Sequence, residues 1–272
     1  MNVQAQVRAA PQLVLSLFPG IGLLDMAFEE EGFCVVRGPD LLWGGDIRRF
    51  HPPAGKFDGV IGGPPCQAFS QMRHIQPLAG KKHGNLIPEF ERCVREAAPA
   101  WFVMENVRDA PLPKVSGYLV HAQLVKDVWV GGATMRLRRI SFGSDDGRLL
   151  GLEQVALHTQ EPEVSALAGG GDRSVPVAFQ RDGSGGLKMR LKKRKQYGNS
   201  GPNTALGTST NGANGFAARL QAQGLPADFL RDAPFTASGK SHAVGNGVPL
   251  PMGRAIARAV KRALGIEAVA YD

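Results

Sequence analysis

Short apolar runs alternate with amphipathic stretches along the first half of the chain. Residues 13–17, 59–61 and 101–104 form runs of three to five mostly apolar residues, typical of buried strands. Between these runs, residues 23–31 and 86–97 carry apolar side chains at helical spacing. Strands that alternate with helices predict an α/β fold, with a Rossmann-like, doubly wound and mostly parallel sheet.

The first apolar run leads through a glycine turn into a helix. Residues 18–22 (FPGIG) break the run, and the helix that starts at Leu23 ends at Gly32. This order opens nucleotide-binding α/β units, but the turn lacks the GxGxxG pattern. Asp25 near the helix start disfavours a pyrophosphate at the positive end of the helix dipole. An adenosyl cofactor with an amino-acid tail therefore fits better than NAD.

Two acidic residues follow the second predicted strand, residues 33–36. Asp40 stands where ribose hydroxyls are commonly held, although the spacing alone is equally consistent with a surface carboxylate. Asp46 and Ile47 add an acid and an apolar side chain, which suit the edge and the face of an adenine. Both acids are therefore candidate cofactor ligands.

The stretch from Gly62 to Ser70 (GGPPCQAFS) directly follows the third predicted strand. Cys66 lies on the loop that leaves the carboxyl end of this strand, where open α/β sheets bind their ligands. Two preceding prolines stiffen the bend. A stiff loop that holds a thiol suits a nucleophile, since attack needs a reproducible geometry. A small apolar cysteine in a core turn is the competing interpretation.

A carboxyl group follows the next strand in the same way, because Glu105 comes directly after residues 101–104. The carboxyl ends of parallel strands lie at one edge of a sheet, so Cys66 and Glu105 are expected to be neighbours. This pairing favours a functional over a purely structural role for Glu105. The polar, glycine-bearing stretch from Gln71 to Asn85 has the character of a mobile active-site loop.

Three arginines lie in a closing strand over residues 134–143. Alternate residues of a strand project to one face, so Arg136 and Arg138 are expected to point together at an anion or a base carbonyl. Arg139 is expected to point to the other side. Towards the end of the chain, residues 216–221 predict a helix, residues 245–249 a tight turn, and a last helix runs to about Leu264.

The net charge of +8 is concentrated in one region. Residues 181–200 contain seven Lys or Arg against one acid, a composition that suits a phosphate backbone or, alternatively, a solvated loop. Around this run, residues 144–213 are glycine-rich and lose periodicity. They predict an inserted recognition lobe for nucleic acid, with a floppy linker as the alternative.

The three cysteines show no CxxC spacing, which argues against a disulfide framework and a zinc site and favours a reducing compartment. No run approaches the roughly 20 apolar residues of a membrane span, and a charged segment followed by a long apolar run is absent from the start of the sequence. We therefore expect a cytoplasmic protein with no bound metal.

Taken together, the motifs resemble the DNA cytosine-C5 methyltransferases, which use S-adenosylmethionine as methyl donor. The matching blocks occur in the order of that family and cover residues 13–143 and 214–264. They are Phe18-x-Gly20-x-Gly22, Gly45-Asp46-Ile47, Gly63-Pro64-Pro65-Cys66-Gln67-x-Phe69-Ser70, Glu105-Asn106-Val107, Arg136 to Arg139, Arg219-Leu220 to Pro226, and Gly245-Asn246-x-Val248-Pro249.

The resemblance implies that Cys66 adds to C6 of cytosine and that Glu105 holds N3 and the exocyclic amine. Arg136, Arg138 or both would steady the ring oxygen and the Cys66 loop. The residues implied around S-adenosylmethionine are Phe18, Gly20, Gly22, Asp40, Asp46, Ile47, Pro65, Asn246 and Val248. The residues expected to contact DNA are Gln67, Ser70, Arg73, Lys188, Arg190, Lys192, Lys193, Arg194 and Lys195.

The resemblance also implies a division of the chain. Residues 1–143 would form a class I methyltransferase domain, 144–213 a small target-recognition lobe, and 214–272 a segment that returns to the catalytic domain. The chain departs from the family at Ser16, where Asp is usual, and at Leu23, where a third Gly is usual. Thr134 or Met135 stands where a Gln usually precedes the arginines, and the lobe is short for this family.

The implied activity is methylation of C5 of a flipped-out cytosine in double-stranded DNA by a monomer. Alternatives are a tRNA cytosine-C5 methyltransferase and a catalytically silent DNA-binding relative. A dinucleotide-dependent oxidoreductase is disfavoured by Asp25. Two contexts are compatible with this activity: a restriction-modification enzyme whose cognate nuclease acts separately, and a solitary or phage-borne enzyme.

Overall fold

The computed structural model describes residues 11–65, 84–154, 178–181, 187–190 and 213–266. The strands in this part of the chain are β1 (Leu13–Leu17), β2 (Cys34–Arg37), β3 (Gly59–Gly62), β4 (Trp101–Asn106), β5 (Leu119–Lys126), β6 (Leu137–Ser144), β7 (Ala178–Arg181) and β8 (Leu187–Arg190). The α-helices are α1 (Leu23–Glu30), α2 (Ile87–Ala97), α3 (Ala213–Ala222), α4 (Ala237–Asn246) and α5 (Leu250–Ala263).

Six of these strands form one mixed sheet with the order β2-β1-β3-β4-β6-β5. Strand β1 runs parallel to β2 and β3, and β3 runs parallel to β4, whereas β6 is antiparallel to both β4 and β5. The mostly parallel α/β sheet expected from the alternation of apolar runs is therefore confirmed. Because β6 runs against its neighbours, its first residues lie at the edge where β3 and β4 end.

Side chains that alternate along the central strands build an apolar layer on each face of the sheet. On one face, Val14 and Trp101 pack in a cluster that also contains Phe28 of α1 and Ile256 of α5. On the other face, the cluster contains Leu15, Leu17, Phe102 and Met104 together with the buried side chains of α2. Helices thus cover both faces, as the doubly wound prediction requires.

The N-terminal helix α1 packs closely against the C-terminal segment. A Cβ atom added at Gly247 would lie 2.5 Å from Cδ1 and 2.9 Å from Cγ of Leu23, and one added at Gly253 would lie 2.6 Å from Cβ of Ala27. Both glycines are therefore required by close approach. Leu23, the departure from the family's third glycine, fits because Gly247 has no side chain.

The other departure, Ser16, also meets a partner on α1. The Ser16 hydroxyl donates a hydrogen bond of 2.5 Å to Oδ1 of Asp25, and both residues are buried. The guanidinium of Arg37 lies 3.0 Å from Oδ2 of the same carboxyl. Helix α1 thus supplies a carboxyl group next to the β1 position where the family usually has Asp. Burial raises the pKa of Asp25 above its ordinary value, against the opposing effects of Ser16 and Arg37.

Several elements differ from the sequence-based expectation. Helix α4 was not expected, because its sequence (ASGKSHAVGN) has no apolar periodicity; it begins after Thr236, whose hydroxyl accepts a hydrogen bond from the Gly239 N–H. Gly245 and Asn246, expected in a tight turn, are its last residues. Strand β5 ends at Lys126 and is followed directly by a 3₁₀ turn, Asp127–Val130.

The region proposed as a recognition lobe is described only in part. Its described residues include β7 and β8, which pair antiparallel, and Lys188 and Arg190 fall in β8. Strand β6 ends at Ser144 and α3 begins at Ala213, but the division into three segments stays a prediction. No helix in the described ranges combines the length and apolar character that crossing a bilayer demands.

We expect Gly247→Ala to destabilise the fold by about 1–3 kcal/mol through overpacking against Leu23. Gly247 has φ −69°, which alanine tolerates, so the cost is steric and not conformational. The same substitution should cost clearly less in a Leu23→Ala background, where the clashing atoms are gone. Urea unfolding of the wild type, both single variants and the double variant measures this coupling. Additive free energies would contradict the interpretation.

Titration of Asp25 should lower the free energy of unfolding as pH rises. Because its pKa is raised in the folded state, the contribution of the neutral acid is present below 3.8 and is lost as pH rises through the folded pKa. Asp25→Asn removes this titration, so its melting temperature relative to wild type should increase as pH rises from 3.8 through the raised pKa of Asp25. Asp109→Asn, at an exposed carboxylate, serves as control. A pH-independent difference for Asp25→Asn would contradict this account.

Candidate functional site

The end of β4 carries a buried carboxyl group that pairs with an arginine. Glu105 is 7% exposed, and its Oε1 lies 2.7 Å from Nε of Arg138, which is 8% exposed. Arg138 lies near the start of β6, the strand that pairs with β4. The antiparallel direction of β6 thus brings a cation to the carboxyl edge of the parallel strands. Two such buried charges are compatible with folding because each is matched by the other.

The loop that leads to Cys66 starts directly beside this pair. Strands β3 and β4 align Gly62 with Met104, and a Cβ added at Gly63 would lie only 3.2 Å from Oε2 of Glu105. The side-chain amide of Asn106 donates a hydrogen bond of 3.1 Å to the carbonyl of Pro64. Pro65, predicted to lie near the cofactor, continues the loop and is half-buried. The predicted adjacency of the two strand ends is therefore confirmed.

Several predicted site residues lie outside the described residues. They are Cys66, Gln67, Ser70, Arg73, Lys192, Lys193, Arg194 and Lys195. The Cys66 loop is fixed up to Pro65, one residue before the thiol. Its first residues, Gly63 and Pro64, lie beside Glu105 and Asn106.

The three neighbouring arginines contact different parts of the chain. Arg136 donates from Nη1 to the carbonyl of Gly245 at 2.7 Å and from Nη2 to that of Asn246 at 3.3 Å. Arg139 donates to the carbonyl of Ala110. Arg138 is the arginine that pairs with Glu105. Alternation along the strand placed Arg136 and Arg138 on one face, but Arg136 precedes β6 and reaches the end of α4.

Asp127 is a buried acid near Arg136 that the sequence analysis did not single out. Asp127 is fully buried and accepts hydrogen bonds from the backbone N–H of Thr134 at 3.0 Å and from its hydroxyl at 2.7 Å. Burial raises the pKa of Asp127, while Thr134 and the charge of Arg136 oppose the shift. Thr134, one of the two candidates for the position where the family usually has Gln, therefore ties the loop before β6 to Asp127. An isolated acid inside an apolar run was the available signal.

The glycine turn after β1 is held by residues that follow β2. Phe18 and Gly20 both have φ 56°, and Gly22 has φ 79°. Asp40 accepts hydrogen bonds from the Gly20 N–H at 2.8 Å and from the Leu42 N–H at 2.7 Å. Asp40 therefore orders the turn as well as lying beside it.

Trp43, which the sequence did not indicate, also holds the glycine turn after β1. Its indole N–H donates to the Gly20 carbonyl at 2.7 Å, and its ring packs against Phe235 with a centroid distance of 5.3 Å. The side chain is still 57% exposed. No periodicity signals such a residue, because both of these contacts are with residues far away along the sequence.

The remaining candidate cofactor residues lie on short turns. Asp46 accepts a hydrogen bond of 3.0 Å from the Arg48 N–H, and Ile47 is 3% exposed. Val248 packs in the α1–α5 layer at 6% exposure, directly after the α4 end that Arg136 contacts.

These residues fit an adenosyl cofactor with an amino-acid tail. An added Cβ at Gly20 would meet no atom within 4 Å, so a ligand can approach the backbone of the turn. The donor set around it contains the carboxylates of Asp40 and Asp46, which accept hydrogen bonds from hydroxyl and amino groups and repel a pyrophosphate.

The sequence profile described as C-5 cytosine-specific DNA methylase matches residues 44–123, the segment with Cys66 and Glu105. The chain is 30% identical over 115 residues to the Type II methyltransferase M.NgoPII of Neisseria gonorrhoeae. The aligned segment covers 36% of this chain and 33% of that protein. It thus spans about a third of the length of that relative. With the Type II methyltransferase M.HgiGI of Herpetosiphon aurantiacus, it shares 32% identity over 122 residues, 37% of this chain and 94% of that protein.

Among solved structures, the methyltransferase EhMeth of Entamoeba histolytica superposes with a TM-score of 0.55 at 10% sequence identity. The superposition covers 94% of this chain and 99% of that one, and it supports the methyltransferase fold. Nearly the whole of M.HgiGI aligns with this sequence, and the family profile spans both strand ends that form the candidate site. The chain therefore belongs to the C-5 cytosine-specific DNA methylase family.

Proposed function

We propose that this chain transfers a methyl group from S-adenosylmethionine to C5 of a flipped-out cytosine in double-stranded DNA, through a covalent bond between Cys66 and C6. The observation that carries the proposal is the Glu105–Arg138 pair beside Gly63, three residues before Cys66 along the loop. Few other reactions need a thiol and a buried, arginine-paired carboxyl group at adjacent strand ends.

The chemistry explains why both groups are required. C5 of cytosine is a poor nucleophile, and addition of the Cys66 thiolate to C6 makes C5 electron-rich. Negative charge develops on the ring during addition, and a proton held on Glu105 at N3 stabilises it. Arg138 engages Oε1, so Oε2, which lies on the side of Gly63, is the oxygen that would hold this proton.

The remaining residues would bind and orient the cofactor, and a last step releases the methylated base. S-adenosylmethionine, when bound, supplies the methyl group. Asp40 and Asp46 would accept hydrogen bonds from its ribose and adenine, while Asn246 and Val248 would close the site from the C-terminal segment. After methylation a base removes the C5 proton and the Cys66 sulfur leaves C6, which restores the aromatic ring and the free thiol.

DNA is the substrate that the charge distribution favours. A duplex hides C6, so the cytosine must be rotated out at a cost of a few kcal/mol. The basic run in residues 181–200 would neutralise phosphates next to the extruded base and make binding strongly salt-dependent. In this proposal residues 144–213 read the DNA and the segment from Gln71 to Asn85 closes over the base.

Cys66→Ala should abolish methylation, because no other group can form the bond to C6. Bisulfite sequencing of DNA from cells that express each variant measures this directly and also gives the sequence context. Cys34→Ala, which changes an exposed cysteine remote from the strand ends, is the matched control and should methylate normally. Methylation at the wild-type rate by Cys66→Ala would refute the covalent mechanism.

Glu105→Gln should lower kcat by about 10²–10⁴-fold, since it removes the proton donor to N3 but keeps the shape of the side chain. Single-turnover assays with duplex DNA and with tRNA, at saturating S-adenosylmethionine, measure the loss and identify the nucleic acid. Retained S-adenosylmethionine binding shows that the variant is folded. A loss below threefold would contradict the role of Glu105, and faster methylation of tRNA would identify the alternative substrate.

A further inference from the structure

The turn that carries Asp46 and Ile47 is a single 3₁₀ turn, Ile47–Arg49, that ends at Phe50. Asp46 caps its start through the Arg48 N–H, and the Phe50 N–H donates to the carbonyl of Ile47 at 3.1 Å. One turn with so few internal hydrogen bonds is marginal by itself. Its geometry must therefore be fixed from outside.

The external support comes from Arg92, in the middle of α2. Its Nη2 donates to the carbonyl of Ile47 at 2.8 Å, and its Nη1 donates to the carbonyl of Phe50 at 3.0 Å. The planar guanidinium thus bridges two carbonyls three residues apart, at the negative end of the short turn. A lysine has a single ammonium group and no such fork.

Two acids on the same helix fix the guanidinium. Nε of Arg92 donates to Glu89 at 2.8 Å, and Nη1 lies 2.8 Å from Glu96, one turn before and one turn after. His51 lies 3.1 Å from Glu96 and extends the cluster to the residue after the turn. Burial lowers the pKa of Arg92, but its hydrogen bonds to Glu96 and Glu89 outweigh this effect and raise it. Arg92 is therefore a charged, oriented donor.

We propose that Arg92 is a positioning residue for the cofactor, which fixes the Asp46–Phe50 turn so that Asp46 and Ile47 are preorganised for the adenine. This role deepens the proposed function and rests on it. Arg92 contacts backbone atoms of the turn and does not itself touch the cofactor. Preorganisation should act on cofactor affinity, because it removes the cost of ordering the turn on binding.

The test combines hydrogen exchange of the ligand-free chain with calorimetric binding of S-adenosylmethionine. Arg92→Ala should increase exchange of the backbone amides of residues 48–50 and weaken binding by about tenfold, since two hydrogen bonds from a charged donor are lost. Arg92→Lys, which keeps the charge but has one nitrogen in place of the two that reach the carbonyls, should give an intermediate affinity and serves as the second variant if Arg92→Ala does not fold. In steady-state assays, KM for S-adenosylmethionine should rise while kcat changes less than twofold.

Arg254→Ala is the matched control. It also removes an arginine on a helix, with its contacts of 2.5 and 3.1 Å to Glu30, but at the α1–α5 surface. A lower melting temperature with unchanged S-adenosylmethionine affinity is expected for this control. The same pattern in the Arg92 variants, with unchanged exchange at residues 48–50, would overturn the proposal.

Failure of the proposed function gives a different result. Absence of S-adenosylmethionine binding by the wild type would contradict the proposed function, whereas the exchange measurement on the ligand-free chain still decides whether Arg92 fixes the turn. Unchanged exchange there overturns the positioning role, and selectively increased exchange supports it.

Discussion

The ion pair between Glu105 and Arg138 is the interaction on which the candidate site depends. Each of the two groups is almost completely buried, so their pairing offsets the cost of removing either charge from water. The pair forms because β6 runs antiparallel to β4, which puts its first residues at the carboxyl edge of the parallel strands. The start of the Cys66 loop lies directly against the Glu105 carboxyl group, because Gly63 has no side chain that would separate them.

The central parallel strands and the adjacency of their ends could be predicted from the sequence, for a physical reason. Strands buried on two faces are short and almost wholly apolar, as in β3 and β4, and their order along the chain determines which ends are adjacent in a parallel sheet. The adjacency of Gly63 and Glu105 follows from that rule alone. Helix α4 escaped prediction because its stability comes from its N-cap and its neighbours and not from an apolar stripe.

Contacts between distant side chains and backbone atoms could not be predicted in this way. Trp43 reaches Gly20, Arg136 reaches Gly245, and Arg92 reaches Ile47, and each contact depends on a three-dimensional path that no spacing encodes. The departures from the family pattern are instructive for the same reason. Ser16 replaces the Asp that is usual in the family, but it bonds to the carboxyl of Asp25. Leu23 replaces the usual Gly, but it fits against Gly247. Both compensating contacts are visible only in the folded chain.

The packing of α1 against α5 also bears on how the chain is made. Arg254 and Glu30, which pair across this contact, are separated by 224 positions, and Arg258 and Glu31 by 227. Contacts of such long range close late in folding, because the loop entropy must be overcome first. During synthesis α1 is therefore made well before α5, the helix that packs against it. Until α5 has been made, the apolar face of α1 lacks the surface that covers it in the folded chain.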